Sequence, residues 1–118
     1  MQYDYFYGAQ AEQFSFYRIP KALFTDPQFK DLSTDAKVLY GILLDRMSLS
    51  LKNQWLDEQN RVYIIFTLEE IMEALNCANQ KATRLMVELE KKACLIERKR
   101  QGLGKPSLIY VKNFVVTK

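Results

Sequence analysis

The sequence of 118 residues predicts an α+β fold, and three features of its second half carry that prediction. Thr67-Leu68-Glu69-Glu70 is a capping box, the pattern that marks the start of a helix. A second helix, from about residue 80 to residue 93, follows after the short turn Asn76-Cys77-Ala78-Asn79. Two alternating segments, residues 95–100 and 107–112, then flank a Gly-rich link that is short enough for a β-hairpin. Helix, helix and hairpin in this order predict a winged helix-turn-helix with a small antiparallel sheet.

The first half of the chain adds one long core helix and one β-prone segment. Ser33 or Thr34 can cap a helix that we expect to end at residues 48–50. Its apolar residues recur on one face, at Ala36, Leu39, Tyr40, Leu43 and Met47. The nearly continuous apolar run at residues 62–66 follows a polar turn at residues 57–60, so we expect a hairpin strand that is buried on both faces.

The N-terminal stretch is rich in aromatic residues. Nine of the fifteen aromatic side chains lie within the first 29 residues, and several alternate as in a short strand or an extended arm. The arm could fold back on its own core, or it could reach a second copy and form a homodimer interface. We expect one domain over residues 1–118, with an arm at residues 1–16 and a core at residues 17–114. The candidate dimerisation residues are Tyr3, Tyr5, Phe6, Tyr7, Phe14 and Phe16.

Charge is distributed unevenly along the chain. Residues 1–78 carry 7 basic and 11 acidic side chains, whereas residues 79–112 carry 9 basic and 3 acidic ones. A basic half joined to an acidic half is expected of a nucleic-acid-binding protein with one working face. A solvated charged face could produce the same distribution.

Several function classes have little support in the composition. The longest apolar run is five residues, whereas a transmembrane helix needs about 20, and we expect a cytoplasmic protein that does not contact membranes. The sequence has no histidine, which removes the common His-dependent nucleophile systems and zinc sites. We therefore expect no enzyme activity, no cofactor and no metal. Cys77 and Cys94 stand alone, and we expect both to be reduced and buried.

The second predicted helix carries candidate base-reading residues. In helix-turn-helix proteins the N-terminal part of the second helix enters the major groove. Arginine and lysine can donate to guanine, glutamine can pair with adenine, and threonine or valine can contact the thymine methyl group. The residues that would face outward are Gln80, Lys81, Thr83, Arg84 and Val87. The alternative is a solvated face with an ion pair between Arg84 and Glu88.

Basic residues also gather on and beside the predicted hairpin. Such a cluster suits contact with phosphates or with the minor groove. The alternative is that these charges only keep the hairpin soluble. The candidate DNA-backbone residues are Lys91, Arg98, Lys99, Arg100 and Lys105.

Several segments, taken in order, resemble one known family. They are Phe16-Tyr17-Arg18-Ile19-Pro20-Lys21-Ala22-Leu23-Phe24, Leu32-Ser33 with Ala36-Lys37-Val38-Leu39-Tyr40-Gly41, Leu44-Asp45-Arg46-Met47, Asn53-Gln54-Trp55 with Asp57, Tyr63-Ile64-Ile65-Phe66-Thr67, and Leu95-Ile96-Glu97-Arg98-Lys99-Arg100-Gln101-Gly102 with Pro106 and Ile109-Tyr110-Val111. Their order and spacing are similar to the N-terminal domain of the RepA_N plasmid replication initiators of Gram-positive bacteria, particularly those of multiresistance plasmids. The likeness covers roughly residues 14–114.

This resemblance implies an initiator that binds iterated sites, or iterons, in its plasmid's replication origin through a winged helix, as a dimer. Pairing of dimers is a further option. The resemblance also implies a second, DnaD-like domain beyond Lys118 that recruits host replication proteins. Two alternatives stay open, namely a protein-interaction winged helix of a replication complex and a transcriptional repressor with the same DNA-binding face.

Overall fold

The computed structural model describes residues 2–115, except for the side chain of Ala11. Within that range the chain forms α1 (Ala22–Thr25), α2 (Thr34–Lys52), α3 (Leu68–Leu75), α4 (Asn79–Val87), β1 (Ile96–Lys99) and β2 (Leu108–Val111). Short 3₁₀ turns lie at Gln10–Gln13 and Pro27–Phe29. In the described part of the chain no helix is both long and apolar enough to cross a membrane.

Helix α2 begins where its sequence predicts. The Ser33 hydroxyl accepts a hydrogen bond from the backbone N–H of Ala36 and caps the helix. The helix runs on to Lys52, so the predicted end at residues 48–50 is wrong. Serine does not stop a helix when its hydroxyl bonds within it, as the Ser48 hydroxyl does by donating to the carbonyl of Asp45 at 2.7 Å.

The capping box of α3 is confirmed. The Thr67 hydroxyl accepts from the N–H of Glu70 at 3.2 Å, and the Glu70 carboxylate accepts from the N–H of Thr67 at 2.9 Å. The backbone bond from Thr67 is the main reason why the pKa of Glu70 lies below its usual value. The Arg46 guanidinium on α2 lies 2.9 Å from the same carboxylate, so it ties the start of α3 to α2.

Helix α4 packs on the core through the four residues that its periodicity predicts, Ala82, Leu85, Met86 and Leu89. Leu89 lies beyond the end of α4, in a π-helical turn that continues the helix over Glu88–Lys92. Between α3 and α4, Asn76 adopts a left-handed conformation with φ of 52° and turns the chain. The two helices therefore form the predicted helix-turn-helix.

Strands β1 and β2 form a two-stranded antiparallel sheet in which Ile96 is paired with Val111 and Lys99 with Leu108. The segment at residues 62–66 is not the regular buried strand that we expected. It contributes one bridge from Val62 to Leu56 and one from Ile64 to Ile109, and of its five residues only Ile64 is buried. The segment pairs at single positions only, and its other four side chains are partly rather than fully covered.

The core connects α2, the helix-turn-helix and the sheet. Its members include Leu39 and Leu43 of α2, Ile71 of α3, Leu85 of α4 and Ile109 of β2. The Tyr40 hydroxyl donates to the carbonyl of Lys112 at 2.6 Å and joins α2 to the end of β2. The domain is an α+β winged helix-turn-helix. Its sheet consists of the β1–β2 hairpin, which is called the wing below.

The two cysteines are free, and neither is fully buried. Cys77 is half-buried, whereas Cys94 is exposed and has a φ of 55° at the end of the π-helical turn. The expectation that both would be buried is wrong, because Cys94 lies in the turn that leads out of the helix rather than on its inner face.

Candidate nucleic-acid interface

The outer face of α4 carries four of the five predicted base-reading side chains in exposed positions. They are Gln80, Thr83, Arg84 and Val87. The Thr83 hydroxyl contacts the Asn79 side chain at 3.4 Å. Among the described residues, Gln80 and Arg84 have neither an ion pair nor a side-chain hydrogen bond. Polar groups at the start of α4 are therefore available to a ligand.

Lys81, the fifth candidate, is already engaged. Its ammonium nitrogen lies 2.8 Å from the carboxylate of Asp35 in the first turn of α2. Both side chains are about half exposed, and ion pairs of this kind contribute only about 0–1 kcal/mol. Lys81 can leave Asp35 for a phosphate or a base at little cost. Asp35 was not among the predicted site residues, because it lies 46 positions before Lys81.

Glu88 does not form the ion pair with Arg84 that the solvated-face interpretation requires. Its carboxylate instead accepts hydrogen bonds from the backbone N–H and the hydroxyl of Ser33, the latter at 2.8 Å. Since Ser33 caps α2, Glu88 holds the end of α4 against the start of α2. This contact leaves the Arg84 guanidinium without an acidic partner among the described residues.

The basic residues of the hairpin divide into two groups. Arg98 is held by Glu90 of the π-helical turn, with nitrogen–oxygen distances of 2.7 and 3.2 Å. This bond is the main reason why the pKa of Glu90 is lowered. The other four predicted backbone residues are exposed and have no ion pair with any described residue: Lys91, which lies in the π-helical turn, and Lys99, Arg100 and Lys105.

Arg98 therefore holds β1 against the π-helical turn that follows α4, and Lys91, Lys99, Arg100 and Lys105 remain available. Lys112, at the end of the hairpin, is also paired, since its ammonium nitrogen lies 3.4 Å from Glu97. Glu90 was missing from the predicted site, because only the π-helical turn aims its side chain at β1.

The base of the wing is anchored by a network that the sequence did not reveal. The Asp57 carboxylate accepts from Arg61 Nε at 2.7 Å and from the Tyr110 hydroxyl at 3.0 Å. The Arg61 guanidinium also lies over the Tyr110 ring, 5.0 Å from its centroid. Partial burial opposes ionisation of Asp57, but hydrogen bonds from Arg61, Gln59 and Tyr110 outweigh it and lower the pKa to about 2. The turn that carries Asp57 thus fixes β2.

The wing tip is a turn built on two glycines. Gly102 and Gly104 have φ angles of 122° and 78°, values that favour glycine because they crowd a Cβ atom. The Gln101 side-chain amide donates to the carbonyl of Pro106 at 2.7 Å and closes the loop. Leu103, between the glycines, is fully exposed.

The N-terminal arm does not fold back on the core. All six candidate dimerisation residues are exposed, from Phe14 at 52% to Tyr3 at 87%. The rings of Phe6, Phe14 and Phe16 contact one another edge to face, with centroids 6.2 and 6.3 Å apart. Instead of a strand, the described arm contains a 3₁₀ turn at Gln10–Gln13. Most of the apolar surface of the arm is exposed, although Phe16 also lies beside α2, where it lines a pocket with Gly41 and Leu44.

The chain is similar to known proteins in sequence and in structure. The family model for the N-terminus of replication initiator protein A, RepA_N, matches residues 15–118. A 41 kDa protein of Lactobacillus helveticus is 32% identical over 74 residues, which are 63% of this chain and 21% of that protein. The matched region thus spans about a fifth of that relative.

Solved structures are similar over nearly the whole chain. One, described as the N-terminal domain of a DNA binding protein, is 40% identical with a TM-score of 0.79, and the match covers 99% of this chain and 88% of that one. A second, described as a Rep–DNA complex, is also 40% identical, with a TM-score of 0.78 and coverage of 98% and 88%. A third, described as an MDR initiator, is 39% identical with a TM-score of 0.76 and coverage of 98% and 90%.

Proposed function

The chain belongs to the family of replication initiator protein A N-termini, and from that membership we propose that it binds duplex DNA at iterons of a plasmid replication origin. It acts there by binding, without catalysis, and its binding initiates plasmid replication. The observation that carries the proposal is the open start of α4, where Gln80, Thr83 and Arg84 are exposed beside a basic wing. A similar solved structure, described as a Rep–DNA complex, supports the same conclusion.

In this proposal the exposed face of α4 lies in the major groove. Arg84 donates to guanine O6 and N7, and Gln80 pairs with an adenine edge. Thr83 and Val87 offer methyl groups to thymine. Lys81 exchanges Asp35 for the DNA, and Glu88 keeps the helix at a constant angle to α2 through its bonds to Ser33.

The wing binds the flanking backbone through Lys99, Arg100 and Lys105, with Lys91 beside it. These contacts position the protein without reading sequence. If roughly six phosphates are neutralised, the logarithm of the binding constant should fall with the logarithm of salt concentration with a slope of about −5.

The base-reading role is tested by Arg84→Ala. Duplexes are first selected from a randomised pool by the wild-type chain, and affinity is then measured on a selected duplex and on random DNA. We expect a loss of about 1–3 kcal/mol on the selected duplex and much less on random DNA, because only the selected site presents the matching base. Equal losses on both would remove Arg84 from base reading.

The backbone role of the wing is tested by Arg100→Ala and Lys105→Ala. Each should weaken binding to every duplex and reduce the steepness of the salt slope by about 1, because each removes one phosphate contact. Thr83→Ala is the matched control, since it removes a contact in the proposed interface without changing charge. A salt slope that stays at the wild-type value in both wing variants would place the wing outside the interface.

We also propose that the arm forms a homodimer interface. Its aromatic surface is exposed in the single chain, and burying such a surface in a second copy removes apolar area from water. Deletion of residues 1–13 should convert a dimer to a monomer when the mass is measured in solution. A variant that remains a dimer would show that the interface lies elsewhere. Pairing of dimers can be followed in the same measurement.

The alternative functions predict different outcomes. A winged helix that docks only on proteins would select no duplex from the pool. A transcriptional repressor would bind selected DNA, but its full-length gene would not support replication of a plasmid. Family membership favours the initiator, and recruitment of host replication proteins through a second domain is part of the same proposal.

A further inference from the structure

Leu103 is the most exposed large apolar side chain in the described part of the chain. It stands at the wing tip between Gly102 and Gly104, whose positive φ angles turn the backbone sharply on either side of it. The tip is closed by the bond from Gln101 to the carbonyl of Pro106. A fully exposed leucine on a formed turn adds nothing to the core, and its side chain is free to contact another molecule.

The surroundings of Leu103 point to a polyanion that has an apolar interior. Arg100 and Lys105 flank the tip, Lys99 precedes them, and the sequence has no acidic residue after Glu97. The minor groove of duplex DNA offers both features, because phosphates line its rims while sugars and base edges form its walls and floor. DNA-binding proteins commonly insert leucine and other apolar wedges there.

We propose that Leu103 enters the minor groove of the bound duplex as an apolar wedge, between phosphates that Arg100 and Lys105 contact. This inference rests on the proposed DNA binding and adds a specificity element to it. A wedge deforms the base step beneath it, and pyrimidine–purine steps such as TA and CA deform most easily. The wing would therefore favour such a step without forming a hydrogen bond to any base.

The test uses the whole 118-residue chain and a duplex that the wild-type chain has selected from a randomised pool. Leu103→Ala is compared with Leu103→Met, which keeps an apolar wedge, and with Leu51→Ala, which removes an exposed leucine on α2. Affinity, its salt slope and the bend angle, measured by energy transfer between the duplex ends, are recorded for each variant.

We expect Leu103→Ala to bind roughly tenfold more weakly and to bend the duplex less, because the burial of most of a leucine side chain is lost. Its salt slope should equal that of the wild type, since no charge is removed, and its thermal unfolding should be unchanged. Leu103→Met should restore most of the affinity and the bend. Leu51→Ala should behave like the wild type.

Wild-type affinity and bend angle in Leu103→Ala would overturn the inference and leave the DNA binding in place. Vesicles of phosphatidylglycerol are tested beside the duplex, and if only the wild type bound them, the tip would be assigned to a lipid surface instead. Failure of the wild-type chain to select any duplex would instead refute the proposed function, and the inference with it.

Discussion

The aromatic side chains of the arm are exposed, whereas those in the core of the body (residues 17–114) are buried. In the arm, Tyr3 and Tyr5 are 87% and 82% exposed, whereas in the body Phe29 and Tyr40 are 4% and 2% exposed. The residue types are the same, and in both regions rings contact one another edge to face. In the body, however, Phe29 also belongs to a core that includes α2 and the sheet.

Aromatic content does not by itself stabilise a domain. A ring stabilises the fold when it is removed from water, and contacts among a few exposed rings leave most of their area wet. We therefore expect the body to fold without the arm, whose apolar surface is exposed in the single chain. Two pairs of substitutions test this division, and a third pair tests the anchor of the wing.

The largest effect is expected from truncating a ring of the body. Phe29→Ala should lower the free energy of unfolding by about 3–5 kcal/mol, because it leaves a cavity in the core. Phe6→Ala in the arm is the matched change, and it should cost less than about 0.5 kcal/mol. Both are measured by urea denaturation at concentrations low enough for the monomer, so that dimerisation does not add stability. Similar losses would mean that the arm is part of the core.

A smaller effect is expected where the arm leaves the body. A Cβ atom at Gly41 would lie 2.8 Å from Ile19 Cγ1 and 3.0 Å from the carbonyl oxygen of Arg18. Overpacking costs about 1–3 kcal/mol, while alanine in place of a helical glycine regains up to about 1 kcal/mol. Gly41→Ala should therefore destabilise the domain by about 1 kcal/mol in urea denaturation.

Ser48→Ala, at an exposed α2 position, is the control for that change. If Gly41→Ala were as stable as the control, residues 18–19 would not be seated on α2. The boundary between arm and body would then begin further along the chain.

The smallest effect is confined to acid pH and concerns the anchor of the wing. The folded-state pKa of Asp57 is about 2, below its ordinary value of 3.8. Ionised Asp57 thus stabilises the fold above about pH 4, and this contribution is lost as the pH falls from about 4 to about 2. In urea midpoints measured over the same window, Asp57→Asn should show a flatter pH dependence than the wild type.

Asp45→Asn, at an exposed position of α2, should keep the wild-type pH profile. A profile for Asp57→Asn that is as steep as that of the wild type would show that the Asp57 network does not respond to acid.

Much of the fold could be predicted, because its signals are local. The caps at Ser33 and Thr67 and the inward face of α4 each depend on residues within a few positions of one another, so the chain order reveals them. The strand expected at residues 62–66 failed for the opposite reason. Its apolar run satisfies a β-propensity, but whether a strand forms depends on a partner, and only Ile64 finds one in the sheet, at Ile109.

The sequence by itself determined the helix-turn-helix, the basic hairpin and the outward position of Gln80, Thr83, Arg84 and Val87, since helical periodicity assigns a face to each residue. Only the tertiary structure decided which cations are available. Asp35 forms an ion pair with Lys81, and Glu90 forms one with Arg98. Glu88 instead accepts a hydrogen bond from Ser33 and does not pair with Arg84. Whether a charge is paired depends on distances across the fold, and these are set by how the elements pack.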